Sequence, residues 1–140
     1  MEPIGAVVLV VVLVAATAFG LYRRVTDGRV RSVGETSRAD RITAQDLGAP
    51  LGARATLVQF STAFCQPCRA TRQLLGDVAG MLDGVAFVDV DAESQLDLVR
   101  RLDIMRTPTV FVLDAEGTVV RRAAGMPTKA DVIAAVGQVV

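Results

Sequence analysis

The stretch that decides the fold is LVQFSTAFCQPCRATRQLL, residues 57–75. Its opening, with Thr56 before it, is apolar and β-rich through residue 61, which suits a buried strand. From Pro67 to Leu82 the pattern changes. Leu74, Leu75, Val78 and Leu82 recur at helical spacing and mark one buried face, although Gly76 and Gly80 weaken the helix. Proline suits a first helical turn, where its missing N–H has no intrahelical role. Both cysteines of the chain, Cys65 and Cys68, therefore sit where a strand hands over to a helix.

Toward the C-terminus the alternation continues. VAFVDV at 85–90 reads as a strand, and ESQLDLVRRLDI as a helix with Leu96, Val99 and Leu102 as its apolar stripe. TVFVL at 109–113 is a third buried strand. Asp114 to Gly117 supplies a turn, and TVVRRA returns as a fourth. Thr128 is placed to cap a last helix with Val132, Val136 and Val139 inside. Residues 41–43 suit a short first strand. The order is a short strand, then β-α-β-α-β-β-α. Helices between strands imply parallel pairing, and the hairpin adds an antiparallel pair, so the sheet is mixed.

Toward the N-terminus, residues 4–22, IGAVVLVVVLVAATAFGLY, carry no charge and no proline. At 1.5 Å per residue this run spans about 28 Å, close to a bilayer's hydrocarbon core. Tyr22 falls where an interfacial aromatic belongs. A single transmembrane helix is the expectation. The rival is a cleaved signal peptide, since Ala16-Thr17-Ala18 spells an A-x-A site, but no basic n-region precedes it. Arg23, Arg24, Arg29 and Arg31 follow the run, and no Lys or Arg precedes it. Basic flanks favour the cytoplasmic side, which puts the remaining domain inside, with an extracytoplasmic domain as the alternative. Three units are expected: an anchor at 1–22, a charged spacer at 23–41 and a folded domain at 42–140. A net charge of zero gives no basic footprint for nucleic acid.

A cysteine at a helix start meets unpaired backbone N–H groups and the positive end of the helix dipole, which stabilise a thiolate. Cys65 is thus expected to titrate below the free value of about 8.5. Cys68 lies one turn on, within reach of the same sulfur. Such a pair can exchange two electrons with a partner's disulfide or dithiol. Three other readings stand beside this one. A structural zinc needs four ligands, and the chain has two thiols and no histidine. An inert structural disulfide and chance spacing of buried thiols are the others.

The same residues carry a resemblance. LVQFSTAFCQPCRATRQLL resembles the active-site segment of thioredoxins: strand, aromatic, C-x-P-C, then a basic residue. VDVDAE, IMRTPTVFVL and GTVVRRAAGMPTKADVIAAV resemble later segments of that family, so the likeness covers residues 42–140. It implies an α/β, thioredoxin-like three-layer fold around a central mixed sheet. It implies Cys65 as nucleophile and Cys68 as resolving thiol. It makes Pro108 a cis-proline facing them, with Thr107 offering backbone hydrogen bonds to a bound peptide. Phe64, Gln66, Pro67 and Gly125 border the substrate groove. The partners implied are protein thiols and disulfides, with an electron donor left unnamed and no cofactor or metal.

The departures are specific. Where thioredoxins carry a buried aspartate, six residues before the first cysteine, this chain has Gln59. No lysine stands at residues 86–88. Ser61 and Phe64 occupy the places of the usual tryptophans, and Gln66 that of a glycine. Gln59 can hydrogen-bond but cannot act as a base. The expected function is a membrane-tethered protein-disulfide reductase. The alternative is a non-catalytic thioredoxin-fold adaptor that binds a membrane partner.

Overall fold

The computed structural model describes residues 3–32 and 41–140. Its element order is α1 (Pro3–Thr26), β1 (Arg31–Ser32), α2 (Ala44–Leu47), β2 (Ala55–Ser61), α3 (Gln66–Met81), β3 (Val85–Asp91), α4 (Leu96–Arg101), β4 (Thr109–Asp114), β5 (Val119–Ala124) and α5 (Lys129–Gly137). The five strands form one sheet in the order β1-β5-β4-β2-β3.

β2 lies between two strands, and every one of its residues is buried. Alternate side chains of a strand point to opposite faces, and the core divides accordingly. Val58 and Phe60 join Val90, Leu98, Leu102, Phe111 and Leu113 on the α4 face. Ala55 and Leu57 join Leu75, Val78, Val110, Val112, Val132 and Val136 on the face covered by α3 and α5. Phe60 and Phe111 meet edge to face, their centroids 5.7 Å apart. Two helices on one face and α4 on the other make the three layers.

Helix α3 starts at the expected place. Cys65 is its N-cap, and Pro67 lies in the first turn. Thr128 caps α5 by accepting from the Asp131 N–H. In the hairpin between β4 and β5, Asp114 Oδ1 accepts from the N–H groups of Glu116 and Thr118.

Three expectations need correction. Strand β4 runs antiparallel to β2, and among the described strands only β2 and β3 are parallel. Strand β3 rises about 23 Å over its seven residues, whereas the six residues of α4 span about 9 Å. The rest of the connection does not run back either: the loop before β4 stays at that end of the sheet, where the Thr107 hydroxyl meets that of Thr62. The chain re-enters where β2 and β3 finish, with Thr109 opposite Phe60. Second, the buried stripe of α4 is Leu98 and Leu102, with Val99 at its margin and Leu96 54% exposed. The helix begins only after Gln95, so Leu96 lies in an open first turn.

Third, residues 41–43 form no strand. Arg41 makes one isolated bridge to Thr118, and Ile42 donates to the Gly117 carbonyl. Thr43 then caps α2 through a reciprocal pair with Asp46. That capping box turns the chain into a helix before a second strand pair can form. The first strand is Arg31–Ser32, paired with Arg122 and Arg121 of β5. Residues 33–40, part of the expected spacer, lie outside the described residues.

Helix α1 extends past Tyr22 to Thr26 and buries none of its residues. It is long and apolar enough to cross a membrane. A signal sequence would share those properties. The hydroxyls of Thr17 and Thr26 donate to the carbonyls of Leu13 and Tyr22 one turn back. An apolar surrounding demands that kind of internal satisfaction.

Candidate active site

The loop from β2 to α3 holds the two sulfurs. Cys65 and Cys68 are joined by a disulfide, with Cα atoms 5.2 Å apart. Their environments differ. Cys65 is half-buried at the end of the loop, whereas Cys68 is 1% exposed beneath the first turn of α3. A partner's sulfur can therefore reach Cys65 and cannot reach Cys68. The helix N-terminus behind Cys65 favours a thiolate on it once the bond is reduced.

A second loop stands opposite. The Thr107–Pro108 peptide is cis, and the Thr107 and Thr62 hydroxyls lie 3.4 Å apart, linking this loop to the cysteine loop. Gly125 N–H donates to the Pro108 carbonyl at 2.8 Å, and Thr109 Oγ1 donates to the Arg106 carbonyl. Pro108 is buried, and Thr107 is half-buried; both line a groove.

That groove, about 760 Å³, is lined by Pro67, Thr107, Pro108 and Gly125. Four of the six expected groove residues thus converge. Phe64 and Gln66 do not join them. They line a smaller cleft of about 110 Å³ with Cys65 and Arg69, and the Phe64 side chain is 97% exposed. The groove's other lining residues, Arg24, Asp27, Arg106 and Met126, were not expected from the sequence. Arg106 adjoins Thr107 and carries that much of a signal. Arg24 and Asp27 lie some eighty residues away in the chain and carry none.

Beneath the cysteines, Gln59 is fully buried on β2. Its Nε2 donates to the Cys68 carbonyl at 2.9 Å, and its Oε1 has no partner among the described residues. Asp89 lies nearby on β3, where it accepts from Ser61 Oγ at 2.8 Å and pairs with Arg72 of α3. Ser61, in the place of a tryptophan, is thus taken up by a polar link between β2 and β3.

The thioredoxin family model matches residues 44–138. The chain belongs to the thioredoxin family. Thioredoxin of Mycoplasma pneumoniae is 30% identical over 82 residues, 59% of this chain and 79% of that protein. The human thioredoxin domain-containing protein 2 is 34% identical over 71 residues, 49% of this chain. The chain spans 13% to 49% of the length of the first curated relatives it matches. Among solved structures, chloroplastic thioredoxin z superposes with a TM-score of 0.59 at 25% identity, covering 71% of this chain and 92% of that one. The match begins after α1, so the apolar helix is an addition to the thioredoxin domain.

Proposed function

We propose that this thioredoxin-family protein is a thiol–disulfide oxidoreductase held at a membrane by α1, and that it works as a protein-disulfide reductase. The observation that carries the reading is the asymmetry of the pair, with a reachable Cys65 at the helix cap bonded to a buried Cys68. The Cys65 thiolate attacks one sulfur of a partner disulfide. An intermolecular S–S bond forms, and the partner's other sulfur leaves as a thiolate and takes a proton from water. Cys68, as thiolate, then attacks Cys65. The internal disulfide closes, and the partner's second thiol departs. Two electrons pass to the partner, and a reduced dithiol donor must restore the pair. Thr107 offers backbone groups to the partner's peptide across the groove, which Gly125 borders.

The reducing direction follows from the side of the membrane. Arginines after the apolar run favour a cytoplasmic domain, and cytosolic thiols are kept reduced. An impermeant maleimide, applied to intact cells after an impermeant phosphine has reduced any exposed disulfide, will leave Cys65 unlabelled if the domain is inside. Prompt labelling would move it outside and reopen the direction of electron flow.

Reduced wild-type protein is expected to reduce insulin disulfides. Cys65→Ser is expected to abolish that, and Cys68→Ser to accumulate mixed disulfides that a gel resolves. Insulin reduction surviving Cys65→Ser would sink the mechanism. Partner capture that persists with both cysteines replaced by serine would favour the adaptor reading, for which Gln59 in the acid's place is the motive.

A further inference from the structure

Helix α1 does not end in a free tether. Asp27 N–H continues the helical pattern to the Arg23 carbonyl, and Gly28 N–H then donates to the Ala124 carbonyl at 2.9 Å. Asp27 Oδ1 pairs with Arg106 Nη2 at 2.9 Å, and the same guanidinium nitrogen donates to the Ala124 carbonyl. Arg31–Ser32 then extends the sheet beside β5. Within six residues of leaving the helix, the chain is attached to the domain by an ion pair, a backbone hydrogen bond and a strand pairing.

Two glycines permit this approach. Gly28 has φ +75°, and a Cβ there would collide with the Met126 carbonyl. Gly125 has φ +97°, and a Cβ there would lie 2.6 Å from Arg106 Nη2 and 3.1 Å from the Gly28 nitrogen. At Gly28 the backbone collision excludes a side chain; at Gly125, where the Arg106 guanidinium could swing aside, the positive φ disfavours one. Gly125 therefore serves the junction with α1 as well as the groove.

The attachment falls at the groove itself. Arg24 and Asp27 share it with Pro67, Thr107, Pro108 and Gly125. Tyr22, the last residue of the apolar run, is only two positions before Arg24, about 3 Å along the axis. Phe19 and Tyr22 also line an adjoining cavity of about 530 Å³ with Arg106 and Arg122 of the domain. With α1 in a bilayer, the groove opens at the membrane surface, in an orientation set by the helix.

We propose that the end of α1 is one wall of the substrate groove, and that the protein selects disulfides held against the membrane surface, in cysteine-bearing juxtamembrane segments of membrane proteins. This rests on the oxidoreductase reading above. Asp27 and Arg106 hold the wall in place, and Arg24 faces the incoming segment. A flexible tether would let the groove sample disulfides near and far. A locked one restricts it to those within reach of a fixed position.

The test uses the full chain, reduced, in phospholipid nanodiscs. The substrates are two single-span peptides carrying the same disulfide loop. In one the loop directly follows the span. In the other a Gly/Ser spacer of about twenty residues moves it roughly 25 Å away. The small aromatic disulfide DTNB reports the dithiol chemistry alone. The proximal peptide is expected to be reduced at least about tenfold faster than the distal one, as for a matched geometry of reach. A Gly/Ser insertion between Thr26 and Asp27 keeps the tether but frees the wall, and is expected to bring the ratio toward one. Asp27→Ala is expected to lower the ratio and Asp27→Glu to restore it. Each variant is read as a ratio on the same protein, so partial unfolding does not mimic the effect. Equal rates in the wild type, or a ratio indifferent to the insertion, overturn this proposal while DTNB is still reduced. Failure to reduce DTNB at all overturns the oxidoreductase reading and this proposal with it.

Discussion

Gln59 Nε2 donates to the backbone carbonyl of Cys68 at 2.9 Å, so the residue beneath the disulfide grips the helix that carries the buried sulfur. The bond orients the amide, with its nitrogen committed to α3. Its Oε1 is left as a buried acceptor without a donor among the described residues. An amide has no exchangeable role as acid or base. In the proposed mechanism, the proton of Cys68 must therefore leave by another route before it attacks the mixed disulfide.

A carboxylate at this position changes that. Burial would push the Asp pKa upward in Gln59→Asp, toward the range where a group can act as base at neutral pH. The expected outcome is faster release of partner from the mixed disulfide, by about tenfold or more. Its pH profile should also gain one ionisation absent from the wild type. Stopped-flow measurement of partner release across a pH series decides it. Identical profiles would remove residue 59 from the proton path.

Acid should weaken the domain through Asp46. The Thr43 backbone N–H and then the Arg101 guanidinium, at 2.9 and 3.0 Å, hold its carboxyl below the usual carboxylate range. A group whose pKa is lower in the folded state stabilises it above the unfolded value, about 3.9 for Asp. That contribution disappears as pH falls through the folded value beneath. Asp46→Asn is expected to cost about 1 kcal/mol at neutral pH, and nothing measurable once the wild-type carboxyl is protonated. Urea unfolding of both proteins at neutral and strongly acidic pH gives the comparison. A deficit of equal size at both would assign the effect to packing.

Packing of α3 on the sheet holds the cysteine loop in place. Leu75 is fully buried in the cluster that includes Leu57 and Val110. Leu75→Ala is expected to destabilise by about 2–5 kcal/mol, through lost transfer energy and the cavity left behind. Met81 on the same helix is 63% exposed, and Met81→Ala should stay within about 0.5 kcal/mol. Chemical denaturation of the two variants side by side checks the contrast.

What could be read from the residues was local. β2, the turn and α3 announce themselves because a buried strand, a capping position and a first-turn proline each depend on near neighbours. The β4–β5 hairpin is legible for the same reason, through Asp114 and its two N–H donors. Family resemblance added Pro108, whose cis geometry no composition suggests, and the structure holds it cis. The stripe on α4 differs from the expected one because Leu96, Val99 and Leu102 fit a helical period as well as Leu98 and Leu102 do. Only the start of the helix after Gln95 and the packing against Phe111 and Phe60 choose between them.

Two cysteines at the start of a helix, behind an apolar run, are legible in the residues alone, and the likeness to thioredoxins adds the domain around them. Those features rest on contacts a few residues apart. The tertiary structure decided the rest. It made β4 antiparallel, because the loop after α4 is held beside the end of β2 and the chain re-enters the sheet there. It took the edge strand from Arg31–Ser32, because the Thr43 capping box had already committed the following segment to a helix. It also placed Arg24 and Asp27 beside Pro108, through an ion pair and two glycine contacts that join residues about eighty to a hundred positions apart. Pairings of that kind depend on where the folded chain brings its ends, which no local pattern records.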